Sequence, residues 1–292
     1  METKELIKDE EQVNQLLWQP EVAKGERFQF GANWTKFLTT LNDDRIDQAK
    51  LSLQKMLNVK SLDGKTFLDI GSGSGLFSLA AKMLGAEVYS FDYDPQSFSC
   101  TKELKRRYFP NDPLWTVREG SVLDKKYLFS LGQFDVVYSW GVLHHTGSMW
   151  QALENAETLV KDNGKLFISI YNDQGGKSKL WRKLKKTYNS VPGSIRPLFS
   201  LGVIGVIEFR YALLCLLRFK MGEYVRSWTQ YHSMRGMSRK HDLVDWIGGY
   251  PFEVAKPEEI FSFFYERGFT LCTMKTCGGG LGCNEFVLIK NR

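Results

Sequence analysis

The sequence lacks a concentrated excess of either charge. Its 292 residues carry 39 Lys and Arg against 33 Asp and Glu, which gives a net charge of +6. A nucleic-acid-binding domain usually shows a dense basic face, so this mild excess does not indicate one. With 43% hydrophobic and 25% charged residues, the composition excludes a disordered or fibrous chain. The length suits one large domain or two ordinary ones.

Cysteine is scarce, and no CxxC pair occurs. The five cysteines stand at positions 100, 215, 272, 277 and 283. Because a structural zinc takes four ligands, we expect no metal site. An odd number of cysteines in a chain long enough for a large core predicts free thiols, as in a reducing cytoplasm. We therefore expect a cytoplasmic protein.

The sequence also lacks a long run that is free of charge. The polar, acidic start METKELIKDEEQVNQ is not expected to be a signal peptide. The most apolar stretch, 198–219, includes Glu208, Arg210 and Arg218, whereas a spanning helix needs about 20 residues with few or no charges. We therefore expect no transmembrane segment. The basic, amphipathic run 177–186 predicts a solvated face, with peripheral contact of 177–219 with an anionic membrane or a lipid-like acceptor as the alternative.

Short apolar runs alternate with helical patterns from about Thr66 to Ile170. The predicted strands are TFLDI, EVYSFD, LWTVREG, FDVVYSW and KLFISIY, and FTLCTMKT and NEFVLIK follow near the end of the chain. Asp94 followed by Pro95 predicts a helix start, since Asp is a good N-cap and Pro suits the first helical position. Strands alternating with helices predict an α/β fold with a doubly wound, parallel sheet.

Two blocks without strand patterns flank the strands of this sheet. We expect residues 1–57 to be a helical segment, 58–171 a ligand-binding core, 172–250 a helical insertion and 251–292 the last part of the sheet. A stretch of roughly 80 residues without strands is usually a lid or binding element. Aromatic residues, at 14% of the chain, are frequent in the first and third of these blocks, which suggests an organic or apolar ligand.

A glycine-rich turn, Gly71-Ser72-Gly73-Ser74-Gly75, follows the first strand. Such a turn leaves backbone amides and a helix N-terminus pointing at a ligand. The spacing is GxGxG, and Asp69 just before it would oppose a pyrophosphate but suit a cation. Asp92 closes the next strand, at the place that hydrogen-bonds ribose hydroxyls. A ligand with a ribose, a positive charge and no phosphate fits S-adenosylmethionine.

The sequence resembles the class I S-adenosylmethionine-dependent methyltransferases in LDIGSGSG (68–75), the acid of FDYDP (91–95) and SWGVLHHTG (139–147). Within that class it looks like the bacterial small-molecule branch related to ubiquinone-pathway O-methyltransferases. The resemblance implies a Rossmann-like sheet of seven strands with the last antiparallel. It also implies methyl transfer (EC 2.1.1) with S-adenosylhomocysteine as product. It fades across 172–250.

The resemblance also implies roles for individual residues. Asp69, Gly71, Ser72, Gly73 and Gly75 would surround the methionine part and ribose of the cofactor, and Asp92 would bind the ribose hydroxyls, with Asp94 as the rival acid. The adenine contacts would be Tyr93, Ser121 and Val122, and Trp140 ends the fourth strand beside them. Asn33 and Trp34, in FGANW, are candidates for an N-terminal segment that closes over the cofactor.

His144 and His145 follow the fourth strand, whose carboxyl end faces the ligand in sheets of this type. A histidine there could remove the proton from a hydroxyl acceptor as the methyl group transfers. By resemblance His145 is the better general base and His144 shapes the pocket. Positioning alone is the alternative, because bringing two reactants together lowers the barrier by about 7–11 kcal/mol. Further acceptor candidates are Tyr171, Asn172, His232, Arg235, His241 and Asn284.

These residues predict methyl transfer from S-adenosylmethionine to a small organic acceptor, most readily through a hydroxyl oxygen. The acceptor could be apolar or lipid-linked. DNA is not expected as a partner and RNA is disfavoured, because the loop SWGVLHH lacks the Pro-Pro-aromatic pattern of base-amino methyltransferases. A methyltransferase acting on RNA or protein, and a cofactor-binding module without catalysis, stay open as alternatives.

Overall fold

The computed structural model describes residues 18–233 and 235–291. Part of the predicted N-terminal segment, 1–17, therefore lies outside the described residues. The chain forms a seven-stranded sheet in the order β3-β2-β1-β4-β5-β7-β6. The strands are β1 (Thr66–Ile70), β2 (Glu87–Asp92), β3 (Trp115–Glu119), β4 (Phe134–Trp140), β5 (Val160–Tyr171), β6 (Phe269–Lys275) and β7 (Cys283–Lys290).

The sheet is parallel except at β7. Strand β1 pairs in parallel with β2 and β4, whereas β7 runs antiparallel to both β5 and β6. The predicted seven-stranded doubly wound fold with an antiparallel last strand is confirmed. Because β1, β2 and β4 run parallel, their carboxyl ends lie at one edge of the sheet, where ligands bind in folds of this kind.

Alternate residues of each strand enter two different cores, one on each face of the sheet. Phe67 of β1 packs in one cluster with Trp115 and Phe167, whereas its neighbour Leu68 packs in the other. Successive side chains of a strand point to opposite faces, so a parallel sheet covered on both sides needs nearly continuous apolar strands. This requirement explains why the strands were visible in the sequence.

Helices cover both faces, and their starts follow the expected capping chemistry. Asp94 caps α5, since its side chain accepts the Gln96 amide hydrogen, and Asp124 caps α6 in the same way. The helices around the sheet are α1 (described over 18–23), α2 (Phe30–Leu38), α3 (Asp43–Leu57), α4 (Leu76–Met83), α5 (Pro95–Tyr108), α6 (Lys125–Leu131), α7 (Met149–Thr158) and α12 (Pro257–Tyr265).

The block between β5 and α12 is helical over its described residues. Its helices are α8 (Gly176–Ser190), α9 (Arg196–Leu217), α10 (Met221–Thr229) and α11 (Arg239–Gly248). Helix α11 packs on α2, α8 and α9 and so joins this block to the N-terminal segment. We call residues 172–250 the lid block. The division of the chain at 57, 171 and 250 stays a prediction.

Helix α9 differs from every other helix described. By length and composition it could cross a membrane, with a mean hydropathy of 1.8. Cys215 is the one residue of this helix that is fully buried. Along α9 the residues that touch the protein recur every three or four positions, so one side of the helix packs on the lid block and the other faces outward.

Candidate active site

A cavity of about 780 Å³ lies at the carboxyl edge of the sheet. Its walls come from three parts of the chain: the ends of β1 to β5, the N-terminal segment around Phe30 and Trp34, and helix α11 of the lid block. The volume falls in the usual range for small-molecule sites, about 300–1,000 Å³. The site therefore lies where the parallel topology predicts it.

The glycine-rich turn forms the floor of the cavity. The amides of Gly71 and Ser72 donate to the Phe91 carbonyl, and the Gly73 amide donates to the Asp92 carboxylate at 2.8 Å. Gly73 has a φ of +56°, and a Cβ added there would stand 3.0 Å from Nε1 of Trp34. Glycine thus allows both the left-handed backbone and the close approach of the tryptophan.

Two buried carboxylates stand beside this turn. Asp69 accepts the Ser78 hydroxyl at 2.5 Å, and Asp92 accepts the amides of Gly73 and Asp94. Burial raises the pKa of each to about 7, and for Asp92 the neighbouring Asp94 adds to the rise. Within the described part of the chain no ion pair compensates either group. Such a pair suits a ligand that brings a positive charge.

Asp94 has a structural task. One carboxylate oxygen caps α5 and the other accepts the Gly31 amide at 2.7 Å, so this side chain joins the N-terminal segment to the core. Tyr93 lines the cavity beside it with the Arg27 guanidinium over its ring, and burial raises its pKa to about 12. The two hydrogen bonds of Asp94 hold a helix and the N-terminal segment, whereas Asp92 bonds the glycine-rich turn itself.

Most of the residues predicted to bind a cofactor line this cavity. They are Asp69, Gly71, Ser72, Gly73, Asp92, Tyr93, Ser121, Val122, Trp140 and Trp34. Gly75 does not, because it opens α4, and a Cβ there would meet Thr101 Cα at 2.8 Å. Asn33 is also turned away from the cavity, since its amide donates to the His241 carbonyl and to Asp245. Asn33 thus ties α2 to α11.

The two histidines have different surroundings. His145 lines the cavity, and its Nδ1 lies 2.6 Å from the Pro251 carbonyl, which makes Nδ1 the protonated nitrogen and Nε2 the acceptor. Burial, reinforced by Lys185, lowers its pKa to about 3. His144 is fully buried, does not line the cavity, and stacks 3.9 Å from the Tyr171 ring. Burial also lowers its pKa well below the usual value.

Of the predicted acceptor residues, Tyr171 and Arg235 reach the cavity. The Arg235 guanidinium lies 3.3 Å from the centre of the Trp140 ring and donates to the Tyr138 hydroxyl. The indole Nε1 of Trp140 is buried without a hydrogen-bond partner among the described residues. Unpaired buried donors are rare in folded proteins.

The other predicted acceptor residues lie elsewhere. Asn172 and Asn284 hydrogen-bond each other at 3.0 Å and hold the loop before β7. His241 is buried against Phe37, and its Nδ1 pairs with the Ser238 hydroxyl. His232 belongs to the short turn Tyr231–Ser233, and its side chain lies outside the described residues. The cysteines are free thiols, and no group of three metal-ligating side chains occurs among the described residues.

Sequence reasoning missed Asp245 and offered Asp242 only as one of the lid-block residues that could contact an acceptor, and both line the cavity from α11. Tyr231 donates to Asp242 at 2.7 Å, and burial raises the pKa of Asp242 to about 6. Burial and the nearby Asp242 raise the pKa of Asp245 well above its usual value. Their spacing of three residues on a helix was the signal, since it puts both carboxylates on one face.

The comparisons with known proteins agree with this architecture. Residues 68–166 match the family model described as a methyltransferase domain. The chain is 37% identical over 122 residues to the ribosomal protein L11 methyltransferase of Helicobacter hepaticus, covering 41% of this chain and 36% of that protein. It is 25% identical over 202 residues to the tRNA U34 carboxymethyltransferase of Enterobacter sp., covering 66% of this chain and 60% of that protein.

Among solved structures, the chain is similar to the magnesium protoporphyrin IX methyltransferase of Synechocystis PCC 6803, with a TM-score of 0.48 and 15% identity over 84% of this chain and 82% of that one. The chain spans between about a third and three fifths of the length of the curated relatives named above. The fold and the glycine-rich edge define a Rossmann-like α/β domain. Its central part, residues 68–166, matches a methyltransferase domain.

Proposed function

We propose that this protein transfers a methyl group from S-adenosylmethionine to a hydroxyl oxygen of a small organic acceptor, leaving S-adenosylhomocysteine. The observation that carries the proposal is the pair of buried, uncompensated carboxylates, Asp69 and Asp92, beside the glycine-rich turn. A cationic ligand with a ribose would supply the charge that the cavity floor lacks. A dinucleotide would instead bring its pyrophosphate against Asp69.

The residues present fit this cofactor. Asp92 accepts hydrogen bonds and can bind ribose hydroxyls, while Tyr93, Ser121 and Val122 line the part of the cavity beyond β2 and β3. The bound cofactor supplies an electrophilic methyl group on a sulfonium, so that transfer breaks the S–CH₃ bond, forms an O–CH₃ bond and releases the hydroxyl proton.

Helix α11 supplies the acceptor end of the cavity. Asp242, Asp245 and Arg235 offer two acceptors and a donor to a polar acceptor molecule, and the Tyr171 and Trp246 rings supply apolar surface. Most of the surface of the cavity wall is apolar, although ten charged side chains also line it. That character favours a small organic molecule over a folded RNA or protein substrate.

Two side chains can receive the hydroxyl proton. His145 presents Nε2, but its pKa of about 3 makes it a weak base. Asp245 lines the cavity from α11, and burial raises its pKa well above that of an ordinary carboxyl, which makes its carboxylate a stronger base than usual. We therefore assign Asp245 as the base and His145 as the group that orients the hydroxyl.

Calorimetric titration with S-adenosylmethionine, S-adenosylhomocysteine and NAD tests the cofactor. We expect heat from the first two and none from NAD. Absence of heat with S-adenosylmethionine would refute the proposal. Binding without release of S-adenosylhomocysteine across a panel of phenols, sugars and amines would instead favour a cofactor-binding module.

Once an acceptor from that panel is methylated, two variants separate the assignments of the base. Asp245→Asn should lower kcat about 100- to 10,000-fold, the usual contribution of a general base, and leave cofactor affinity unchanged. His145→Gln should mainly raise KM for the acceptor. The reverse pattern would identify His145 as the base, as the sequence alone suggested.

A further inference from the structure

The excess positive charge of the chain lies in residues 177–220, which include α9 and all but the first residue of α8. This segment has ten Lys and Arg and a single acid, a net charge of +9, whereas the other 248 residues sum to −3. The five cations on the outer face of α8 are all exposed: Lys177, Lys179, Arg182, Lys183 and Lys186. The basic surface is therefore local and continuous along one helix.

Helix α9 continues this surface with apolar side chains. At 1.5 Å per residue its 22 residues span about 33 Å. Its outward face is a stripe of large apolar residues, each at least 41% exposed: Leu198, Leu201, Val206, Phe209, Leu213 and Leu216. Arg218, Phe219 and Lys220 follow directly, and the Phe219 side chain is 98% exposed. A helix on the surface of a soluble domain normally has polar residues on that side.

The acidic residue of α9 faces the protein instead, whereas Arg210 of the same helix is exposed. Glu208 pairs with Arg239 at 2.6 Å and accepts the Trp228 indole hydrogen, with both charged side chains largely buried. Phe199 and Val203 pack on the cluster around Tyr188 and Ile247. These contacts hold one side of α9 against the lid block, so the helix can immerse its outward side but not cross a bilayer in this fold.

We propose that the outer face of α8 and α9 docks on an anionic lipid membrane, with α9 lying in the interfacial plane. An exposed apolar helix face flanked by Lys and Arg is what binding at the headgroup boundary requires. Each cation near an anionic leaflet strengthens binding about fivefold, and the apolar stripe adds affinity by leaving water.

Charge argues for this occupant over a second copy of the chain. Two copies facing each other through this surface would bring together two segments of net charge +9. RNA would meet the cations of α8, but the stripe on α9 has five aliphatic side chains and a single aromatic one, Phe209, whereas single-stranded nucleic acids stack on several aromatics. Of these three partners, only an anionic membrane offers both negative charge to the cations of α8 and an apolar phase to the stripe on α9.

The docked face lies directly behind the lid wall of the cavity. Arg239, which pairs with Glu208 of α9, also lines the cavity from α11. A membrane at α9 would therefore be separated from the cavity by a single helix. This arrangement does not depend on the methyltransferase reaction, but it would give the cavity access to an acceptor held in the bilayer.

Sedimentation with vesicles tests the proposal without any activity measurement. We expect the full chain to bind vesicles of mixed phosphatidylglycerol and phosphatidylcholine, to bind phosphatidylcholine alone at least about tenfold more weakly, and to be released by salt. Lys179→Glu with Lys183→Glu, and separately Leu201→Ser with Phe209→Ser, should each lower binding at least about tenfold.

Matched controls come from α6, on another part of the surface. Lys125→Glu with Lys126→Glu, and Phe129→Ser, change exposed residues of the same kinds and should bind like the wild type. Retained S-adenosylmethionine binding or an unchanged unfolding transition shows that each variant folds. Equal losses in both sets, no binding to anionic vesicles, or a dimer that buries α9 would overturn the proposal. So would RNA binding sensitive to the lysine variant alone.

Discussion

The sheet core and the lid block follow opposite rules for their apolar residues. In the core the strands bury them on both faces, as with Trp115, whose side chain has no exposed surface. In α9 the large apolar residues face outward, as with Phe209 at 68% exposure, while Glu208 is buried in an ion pair. Apolar sequence therefore indicates fold stability in one region and an interaction surface in the other.

The largest difference between the two regions is expected in the stability lost when one aromatic residue of each is replaced by alanine. Trp115→Ala should destabilise the protein by about 3–5 kcal/mol, because it leaves a cavity and removes the hydrogen bond from Nε1 to Ser90. Phe209→Ala should change stability by less than about 0.5 kcal/mol. Urea unfolding measures both values. Comparable losses would mean that α9 is packed like the core.

The next largest effect is expected from comparing Asp92 and Asp94, two nearby acids at the end of β2, by their contribution to S-adenosylmethionine affinity. Asp92→Asn should weaken S-adenosylmethionine binding about 10- to 100-fold, because hydrogen bonds to a charged group contribute about 1.5–3 kcal/mol. Asp94→Asn keeps an N-cap side chain and should change affinity less than threefold, or about 0.6 kcal/mol. Calorimetry on both variants measures this. A larger loss for Asp94→Asn would assign the ribose contact to Asp94.

The lid block contains a buried lysine whose effect on stability depends on pH. Lys185 hydrogen-bonds the Trp246 carbonyl and lies 4.7 Å from the Trp246 ring centre, and burial lowers its pKa to about 7. The unfolded chain binds this proton up to about pH 10, so the wild type gains stability as pH rises above 7.

The variant Lys185→Met cannot show this gain. Between pH 6.5 and 8.5 the wild type should gain about 1–2 kcal/mol of unfolding free energy relative to the variant. Urea unfolding at both pH values measures the difference, and Lys183→Met, an exposed neighbour, is the control. A constant difference across this range would show that Lys185 stays charged in the folded protein.

The core carboxylates should respond in the opposite sense. Asp69 and Asp92 have folded pKa values of about 7 against ordinary values near 4, so the ligand-free protein loses stability as pH rises toward and through 7.

The same two carboxylates should make cofactor affinity depend on pH. A cation binds their ionised forms, so S-adenosylmethionine affinity should rise about tenfold from pH 6 to pH 8 for each carboxylate involved. Calorimetry at both pH values, with Asp92→Asn as reference, measures it. A flat profile would mean that neither group contacts the cofactor's charge.

The fold of the core could be predicted from the sequence because its main features depend on residues that are neighbours in the chain. Alternation of strands and helices, the Asp94 cap and the glycine-rich turn are all set by neighbours in the chain, and each has its expected place. Helix α6 was not predicted, because KKYLFSL is too short to show a clear period. Asn33, predicted to bind the cofactor, instead fixes α11, since the partner that claims its amide lies more than two hundred residues away.

The acceptor end of the site depended on contacts that the sequence does not display. Asp245 became a candidate base only when the fold put it in the cavity wall and burial raised its pKa. The same burial made His145 a weaker base than its position after β4 suggested. A side chain's proton affinity is set by the charges and water around it, which come from distant parts of the chain.

The sequence by itself determined the parallel sheet and the acid-flanked glycine turn, because backbone periodicity and left-handed glycines are local properties, whereas the antiparallel last strand was implied only by the family resemblance. It also determined that the excess of positive charge lies in residues 177–220, because the rest of the chain has a negative net charge. Only the tertiary structure decided which apolar residues are buried. In α9 that decision follows from helix α11, which offers Arg239 to Glu208 and so turns the apolar side of α9 outward.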